Sequence, residues 1–246
     1  QIGDVISELY IYEAFDRTSV FQKNVYSSLG KADLHQYYFS AAVLLLFLMM
    51  GVNYGYLYQK QSRAVEDKIR IYGIGEGKNA LIKVFLMTIP LWLVGILVYA
   101  AGCLVSGKLH LAFLWFDREV LSGTLLLAAV IAAYFHLIYT ISGESTKGTI
   151  VLIAVNVFQI MASGVVIPAA YLPGIFGKIG SFLPLTFWDS YYLKLLFFGI
   201  KGQETRQLIL MFAVFFAVSV LWAKAAGNFG KAERMEHKKG GRLTIG

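Results

Sequence analysis

The sequence predicts an all-α protein that crosses a lipid bilayer about five times. Of its 246 residues, 57% are hydrophobic and only 15% are charged, with a mean hydropathy of +0.62. A soluble domain of this size does not need so much apolar surface to build one core. The apolar residues are also concentrated in five long stretches, none with an ionised residue near its centre. Each stretch meets the length of about 20 residues that a helix needs to span a bilayer.

The five predicted spans cover residues 39–58, 84–104, 120–141, 150–167 and 208–226. They are apolar on all faces, and a helix is expected for each because its backbone groups pair with one another inside lipid. The spans divide the chain into the end of an external segment (1–38), a transmembrane domain (39–227) and a basic cytoplasmic tail (228–246). The chain begins with Gln1, and residues 1–38 lack the pattern of a signal peptide. We therefore expect this sequence to be a fragment of a longer chain.

Lysine and arginine residues predict the orientation of the spans, because short cytoplasmic loops collect positive charge. In the first loop they are Lys60, Arg63, Lys68, Arg70, Lys78 and Lys83. After the last span they are Lys224, Lys231, Arg234, Lys238, Lys239 and Arg242. Five crossings place both groups inside, with a cytoplasmic C-terminus. Topology and anionic lipid then account for the net charge of +7 without a nucleic-acid partner.

The inside loop from Gln59 to Lys83 predicts a short amphipathic helix. Its apolar positions, at near-helical spacing, are Val65, Ile69 and Tyr72. Its charged positions, on the other faces, are Arg63, Glu66, Asp67 and Arg70. Three glycines are expected to break the helix, namely Gly73, Gly75 and Gly77. Such a helix can dock into a groove of a cytoplasmic partner, or it can be a solvated loop that anchors at the membrane.

The outside segment 168–206 is partly apolar but is interrupted by prolines and glycines. The prolines are Pro168, Pro173 and Pro184. Pieces this short suit re-entrant or interfacial helices, which are tolerated at membrane depth where protein or a water-filled cavity covers their backbone. We therefore predict an external re-entrant hairpin here.

Uncharged polar residues inside the predicted spans are weak candidates for a substrate pathway. They include Asn53, Asn156, Gln159 and Ser163. Such residues can line a pathway, and they can also hold helices together by hydrogen bonds. His136 is the only ionisable residue well inside a span, so the spans offer no ion relay of the kind that secondary transporters use.

The sequence offers no catalytic or metal-binding motif. The single cysteine, Cys103, excludes a disulfide or a multi-thiolate site within this chain, and the histidines lack ligand spacing. The glycine-rich stretch 73–79 departs from the phosphate-binding loop, because Tyr72 and Asn79 occupy positions where that motif needs glycine and a hydroxyl residue. We expect the chain to be no enzyme and to bind no nucleotide, cofactor or metal itself.

The order of these features resembles the permease subunit of ABC-2 type exporters, one class of ATP-binding-cassette transporters. Residues 63–83 look like the charged coupling segment of that family. Residues 166–168, 172–173 and 182–186 look like its proline-marked external hairpin. The resemblance covers essentially the whole chain but departs at the front, because the family normally has six spans. A first span and part of an external domain are therefore expected before Gln1.

The resemblance implies a transmembrane dimer, homomeric or heteromeric, resting on two cytoplasmic ATPase subunits or domains that hold ATP and Mg²⁺. It assigns coupling to the ATPase to Arg63, Glu66, Asp67 and Arg70. The scarcity of charge suits a hydrophobic or amphipathic cargo, such as a lipid, drug or peptide, exported across a bacterial cytoplasmic membrane. The alternative function is a non-transporting membrane scaffold or a ligand sensor, which needs no ATPase partner.

Overall fold

The computed structural model describes residues 34–59, 75–105, 118–143, 145–166, 174–197 and 202–240, and regular structure in these ranges is entirely α-helical. The helices are α1 (Leu34–Gln59), α2 (Glu76–Val105), α3 (Arg118–Ser142), α4 (Ser145–Ala162), α5 (Gly174–Gly180), α6 (Pro184–Phe197) and α7 (Gly202–Gly240). The predicted all-α class is confirmed for the described residues.

Four of these helices are long and apolar enough to cross a membrane. Their apolar segments are Gln36–Asn53 in α1, Gly77–Gly102 in α2, Arg118–Ser142 in α3 and Gln203–Ala225 in α7. These four correspond to four of the five predicted spans, so the chain is an integral membrane protein. The remaining one, 150–167, falls on α4, which has 18 residues. At 1.5 Å per residue α4 is about 27 Å long, close to the lower limit for a span.

The start of α2 differs from the prediction. We expected Gly77 to break a helix and the second span to begin at residue 84, but α2 begins at Glu76 and runs through Gly77. Its first turn forms because the Asn79 N–H donates to the Gly75 carbonyl at 3.1 Å. A glycine in a helix costs at most about 1 kcal/mol relative to alanine, which the long apolar run that follows outweighs.

The end of α4 also differs, because the helix stops at Ala162 although the predicted span continues to residue 167. Gly164 has a φ of +80°, the left-handed conformation that ends helices and that glycine adopts without a Cβ clash. The last helical bond runs from the Ser163 N–H to the Gln159 carbonyl at 2.8 Å. The residues directly after Gly164 are also apolar, so hydropathy alone does not mark the end of the helix.

The described helices belong to two compact units. The α3 unit comprises Phe47–Ala154 and Gly202–Gly246. Within it α3 packs against α2 and α7, and 67% of its apolar segment is buried, against 11% for that of α7. Small residues allow this close packing: a side chain at Gly95 would meet both Phe47 and Thr124 at 2.8 Å. Small residues are common where helices pack in membranes, because they let backbones approach.

Tyr139 organises the end of α3 within the same unit. Its hydroxyl lies 3.1 Å from the Thr149 Oγ1 and also donates, at 3.4 Å, to the carbonyl of Val52. Its ring covers Gly148, where there is no room for a Cβ. Gly143, the first residue after α3, has a φ of +70°. Tyr139 therefore links α3 to α4 and to α1 by hydrogen bonds.

The hairpin unit comprises Gln1–Leu46 and Val155–Lys201. Its described part holds the first half of α1, the second half of α4, and the short helices α5 and α6. The hairpin itself is α5, a turn at residues 181–183, and α6. The turn is closed by backbone bonds from Phe182 to Ile179 and from Leu183 to Gly180, both 3.0 Å. Two short helices thus lie in the segment where an external re-entrant hairpin was predicted, and the external, re-entrant placement stays a prediction.

Candidate functional site

Helix α6 carries a buried carboxylate on its inner face. Pro184 is its first residue, a position that tolerates proline because the missing N–H has no partner inside a helix. Leu185, Trp188 and Tyr192 are buried and recur at helical spacing. Asp189 falls on the same stripe and is also buried, with 9% of its surface exposed. An acidic residue among apolar and aromatic neighbours is a candidate for function, because burial of a carboxylate disfavours its charged form.

Asp189 is hydrogen-bonded to α1. The Ser40 Oγ donates to the Asp189 Oδ1 at 2.7 Å, and Ser40 is itself completely buried. The two residues are 149 positions apart in the chain. One turn earlier in α1, the Tyr37 hydroxyl donates to the carbonyl of Gly164. These two bonds hold the first half of α1 against α6 and against the end of α4.

Burial raises the pKa of Asp189 from its ordinary value of 3.8 to about 6, and the hydrogen bond from Ser40 acts in the opposite direction and lowers it. The larger effect is desolvation, because a carboxylate loses the water that stabilises its charge. Asp189 therefore titrates in a range where moderate acidification changes its charge.

The hairpin is held on the end of α4 by two further hydrogen bonds. The Gln159 Oε1 accepts from the backbone N–H of Leu185 at 3.2 Å, which satisfies a donor in the first turn of α6. The Thr186 hydroxyl lies 3.1 Å from the Ser163 carbonyl and 2.6 Å from the Gly180 carbonyl. Gly180 itself packs on the Ala162 carbonyl so closely that a Cβ would overlap the oxygen.

Three of the four predicted pathway residues lie close together along α4. Asn156, Gln159 and Ser163 are all buried in the hairpin unit. The Gln159 side chain accepts from the backbone of the hairpin, which is the helix-holding role that the sequence left open. Ser163 takes part through its backbone carbonyl, which accepts from the Thr186 hydroxyl, while its Oγ accepts from the Val165 N–H. Asn53 belongs to the α3 unit, where it is exposed, and the pathway role of the four residues stays a prediction.

The predicted coupling residues lie outside the described residues, and so do two of the three hairpin prolines. The coupling residues are Arg63, Glu66, Asp67 and Arg70, and the prolines are Pro168 and Pro173. Pro184 is described and begins α6. Their predicted roles stay predictions.

Comparison with family models, curated proteins and solved structures finds no match. Within the described ranges, no three histidine, cysteine, aspartate or glutamate residues are grouped so as to hold a metal ion. The most distinctive polar group with an ionisable member is the pair Ser40 and Asp189.

Sequence reasoning missed Asp189 because it treated 168–206 as one interrupted external segment. The signal was present: Asp189 shares the spacing i, i+3, i+4 and i+7 with three large apolar or aromatic residues, which predicts that it faces inward with them. Its partner, Ser40, could not be found in this way. A pairing across 149 positions follows from tertiary packing and leaves no local pattern.

Replacing Gln159 with methionine is expected to destabilise the folded protein by about 1–3 kcal/mol, because it leaves the buried Leu185 N–H without its acceptor. Methionine keeps the length and flexibility of the side chain, so the hydrogen bond is the main loss. Unfolding by SDS in mixed micelles measures the change. The matched control is Met161→Leu at an exposed position of the same helix, which should change stability by less than about 0.5 kcal/mol. Equal effects of the two substitutions would contradict the role of Gln159.

Proposed function

We propose that this chain is the transmembrane permease subunit of an ATP-driven exporter of the ABC-2 type. It moves a hydrophobic or amphipathic substrate, such as a lipid, drug or peptide, across a bacterial cytoplasmic membrane. The main observation in support of this proposal is the order of the helices. A long α1 is followed by a basic connection, by the linked helices α2 and α3, by α4, by the short helices α5 and α6, and by the long α7. This is the order expected for such a permease.

The hairpin is the most specific part of that order. Helices α5 and α6 have 7 and 14 residues, too few to span a bilayer. They are nevertheless rich in large apolar residues and pack on the ends of their neighbours through buried polar contacts. Short helices with a covered backbone suit partial insertion from one side of the membrane. In the proposed permease this hairpin closes the external end of the pathway.

The distribution of positive charge supports a fifth crossing by α4. The connection between α1 and α2 and the end of α7 are both basic, and the positive-inside rule favours the cytoplasm for both. If α1, α2, α3 and α7 alone crossed, the two basic segments would lie on opposite sides. A crossing by α4 puts both inside and the hairpin outside, with the C-terminus in the cytoplasm.

The mechanism in this proposal is coupling between two states of a permease dimer, facing inward or outward. Nucleotide binding to partner ATPase subunits biases the two states through the charged segment 63–70, and the dimer moves as rigid bodies. ATP and Mg²⁺ belong to the ATPase. This chain supplies the pathway and the contact with the ATPase, through Arg63, Glu66, Asp67 and Arg70.

The test is purification of the native complex in lipid, followed by measurement of its ATPase activity with and without candidate cargo. A combined reversal, Glu66→Lys with Arg70→Glu, is expected to remove the stimulation by cargo, at least several-fold, while the complex stays assembled. The matched control is a reversal at the start of α7, Glu204→Lys with Arg206→Glu, which lies on the proposed external side and should leave the stimulation intact. If no ATPase copurifies under conditions that preserve membrane complexes, the chain is a scaffold or a ligand sensor instead.

A further inference from the structure

The buried pair formed by Ser40 and Asp189 is not explained by packing alone. A buried carboxylate stabilises an interface less than an apolar or amide side chain of similar size, because the charge loses its hydration. Asp189 has one strong hydrogen bond to compensate, from the Ser40 Oγ at 2.7 Å. The same unit already has neutral contacts that fix the hairpin, among them Gln159 with Leu185 and Thr186 with Ser163. A titratable group in this place adds a response to pH that those contacts lack.

We propose that Asp189 is a proton-binding site and that its bound proton holds the α5–α6 hairpin against α1. With the proton bound, the neutral carboxyl group can stay buried beside Ser40 at low cost. Without it, the carboxylate gains free energy by reaching water, which requires α6 to move away from α1. The closed arrangement is the one seen here, and the open arrangement exposes Asp189. This inference is independent of the transport function proposed above.

The size of the pH effect on the equilibrium between the closed and open arrangements follows from the proton affinity of the carboxyl group in each of them. In the closed arrangement the pKa of Asp189 is about 6, and in water its ordinary value is 3.8. A ligand shifts a two-state equilibrium only by the ratio of its affinities for the two states. Here that ratio is roughly 100-fold in favour of the closed arrangement. Full deprotonation therefore weakens closure by the same factor.

Within the described residues, no other charged group shifts the pKa of Asp189. Besides Asp189, the titratable side chains described in the hairpin unit are Tyr37, Tyr38, Lys178, Tyr191, Tyr192 and Lys194. None of these shifts the pKa of Asp189, which is set by burial first and by Ser40 second. The lysine on α5, Lys178, is exposed. A change in the arrangement of α6 near pH 6 is assigned to Asp189 by its loss in Asp189→Asn.

Distance measurements between two spin labels within the hairpin unit test the proposal. The full chain is used in lipid nanodiscs of phosphatidylcholine and phosphatidylglycerol, with Cys103→Ser to remove the native thiol. Labels are attached through Tyr38→Cys on α1 and Phe182→Cys at the hairpin turn, both at exposed positions. No nucleotide or partner is added, so the result does not depend on transport. Pulsed electron paramagnetic resonance then gives the distribution of distances between the two labels at about pH 5 and about pH 8.

The expected result is a single narrow distance at low pH and a second, longer distance that gains population at high pH. Asp189→Asn should show the low-pH distribution at both values, because its side chain is always neutral. The matched control is Glu119→Gln, which neutralises an exposed acid at the start of α3 and should keep the pH response. A distribution that is independent of pH with Asp189 present overturns the proposal, and so does a pH response that survives Asp189→Asn.

A second variant keeps the test decisive if Asp189→Asn does not fold. Ser40→Ala removes the donor that stabilises the charged form of Asp189 in the closed arrangement, so the ratio of open to closed populations should rise by a larger factor at about pH 8 than at about pH 5. A purely structural role for Ser40 would loosen the hairpin by the same factor at both pH values. Equal factors in Ser40→Ala therefore count against the proposal.

Discussion

Replacing Gly180 with alanine is expected to destabilise the hairpin unit by about 3 kcal/mol or more, which places it at or above the upper end of the usual cost of overpacking. A Cβ at this position would overlap the carbonyl oxygen of Ala162. The same Cβ would lie 3.2 Å from the carbonyl carbon of Ala162 and 3.6 Å from the Cα of Ser163. These are backbone atoms at the end of α4, so no side chain can rotate to make room. The hairpin would have to lift from α4.

The lifting of the hairpin has a specific consequence for its polar contacts. The Thr186 hydroxyl bridges the carbonyls of Gly180 and Ser163, so a displacement of α5 from α4 separates the two atoms that it contacts. The contact of Gln159 with Leu185 would weaken for the same reason. We therefore expect Gly180→Ala to lose more stability than Gln159→Met, and the two effects to be less than additive because they act on one interface.

The matched control for Gly180→Ala is Gly77→Ala in α2. A Cβ at Gly77 would meet only Val220 at 3.9 Å, an ordinary contact, and alanine favours a helix by up to about 1 kcal/mol over glycine. Gly77→Ala should leave stability unchanged or raise it slightly. Both variants are compared by SDS titration in the same mixed micelles. If Gly180→Ala is as stable as Gly77→Ala, the close approach of α5 to α4 does not exist in the folded protein.

The sequence was a good guide to the long helices because their signal is local. A run such as 120–141 contains enough apolar residues to satisfy a bilayer by itself, and α3 begins and ends within two residues of the predicted limits. Helix α3 also contains four alanines and one glycine, small residues that suit close packing against neighbouring helices. The predicted start of α2, at residue 84, was too late because Gly77 was expected to break a helix. A glycine inside a helix costs only about 1 kcal/mol of stability relative to alanine.

The candidate site was less accessible to sequence reasoning, for a physical reason. Gln159 was found because a polar residue stands out inside an apolar run, but its partner is the Leu185 N–H, a backbone group that no side-chain pattern marks. Ser163 was found in the same way, but it contacts the hairpin through its own backbone carbonyl. The end of α4 at Ala162 depends on the positive φ of Gly164. A glycine inside an apolar stretch does not by itself predict that a helix ends there. Asp189 was missed, although its spacing with Leu185, Trp188 and Tyr192 predicts an inward-facing acid, and its hydrogen bond to Ser40 arises only from the tertiary fold.

Replacing Asp189 with asparagine is expected to stabilise the protein by about 3 kcal/mol at neutral and higher pH and to have little effect near pH 4. Burial raises the pKa of Asp189 to about 6 from an ordinary 3.8, so the folded state binds more protons than the unfolded state between these values. The favourable contribution of the bound proton is therefore complete below the unfolded pKa, and it is lost as the pH rises through the folded pKa. Asparagine is neutral throughout and can still accept the hydrogen bond from Ser40.

The measurement is the difference in unfolding free energy between the two chains as a function of pH, because the titration of all other groups then largely cancels. That difference should be small near pH 4, rise through about pH 5 to 6, and level off above about pH 7. Glu119→Gln serves as the control, since it also removes one acid but at an exposed position, and its difference should stay within about 0.5 kcal/mol throughout. A difference of the opposite sign, with Asp189 more stable than asparagine at high pH, would mean that the carboxylate is stabilised in place. The hairpin would then be held by the charged form, and acid would open it.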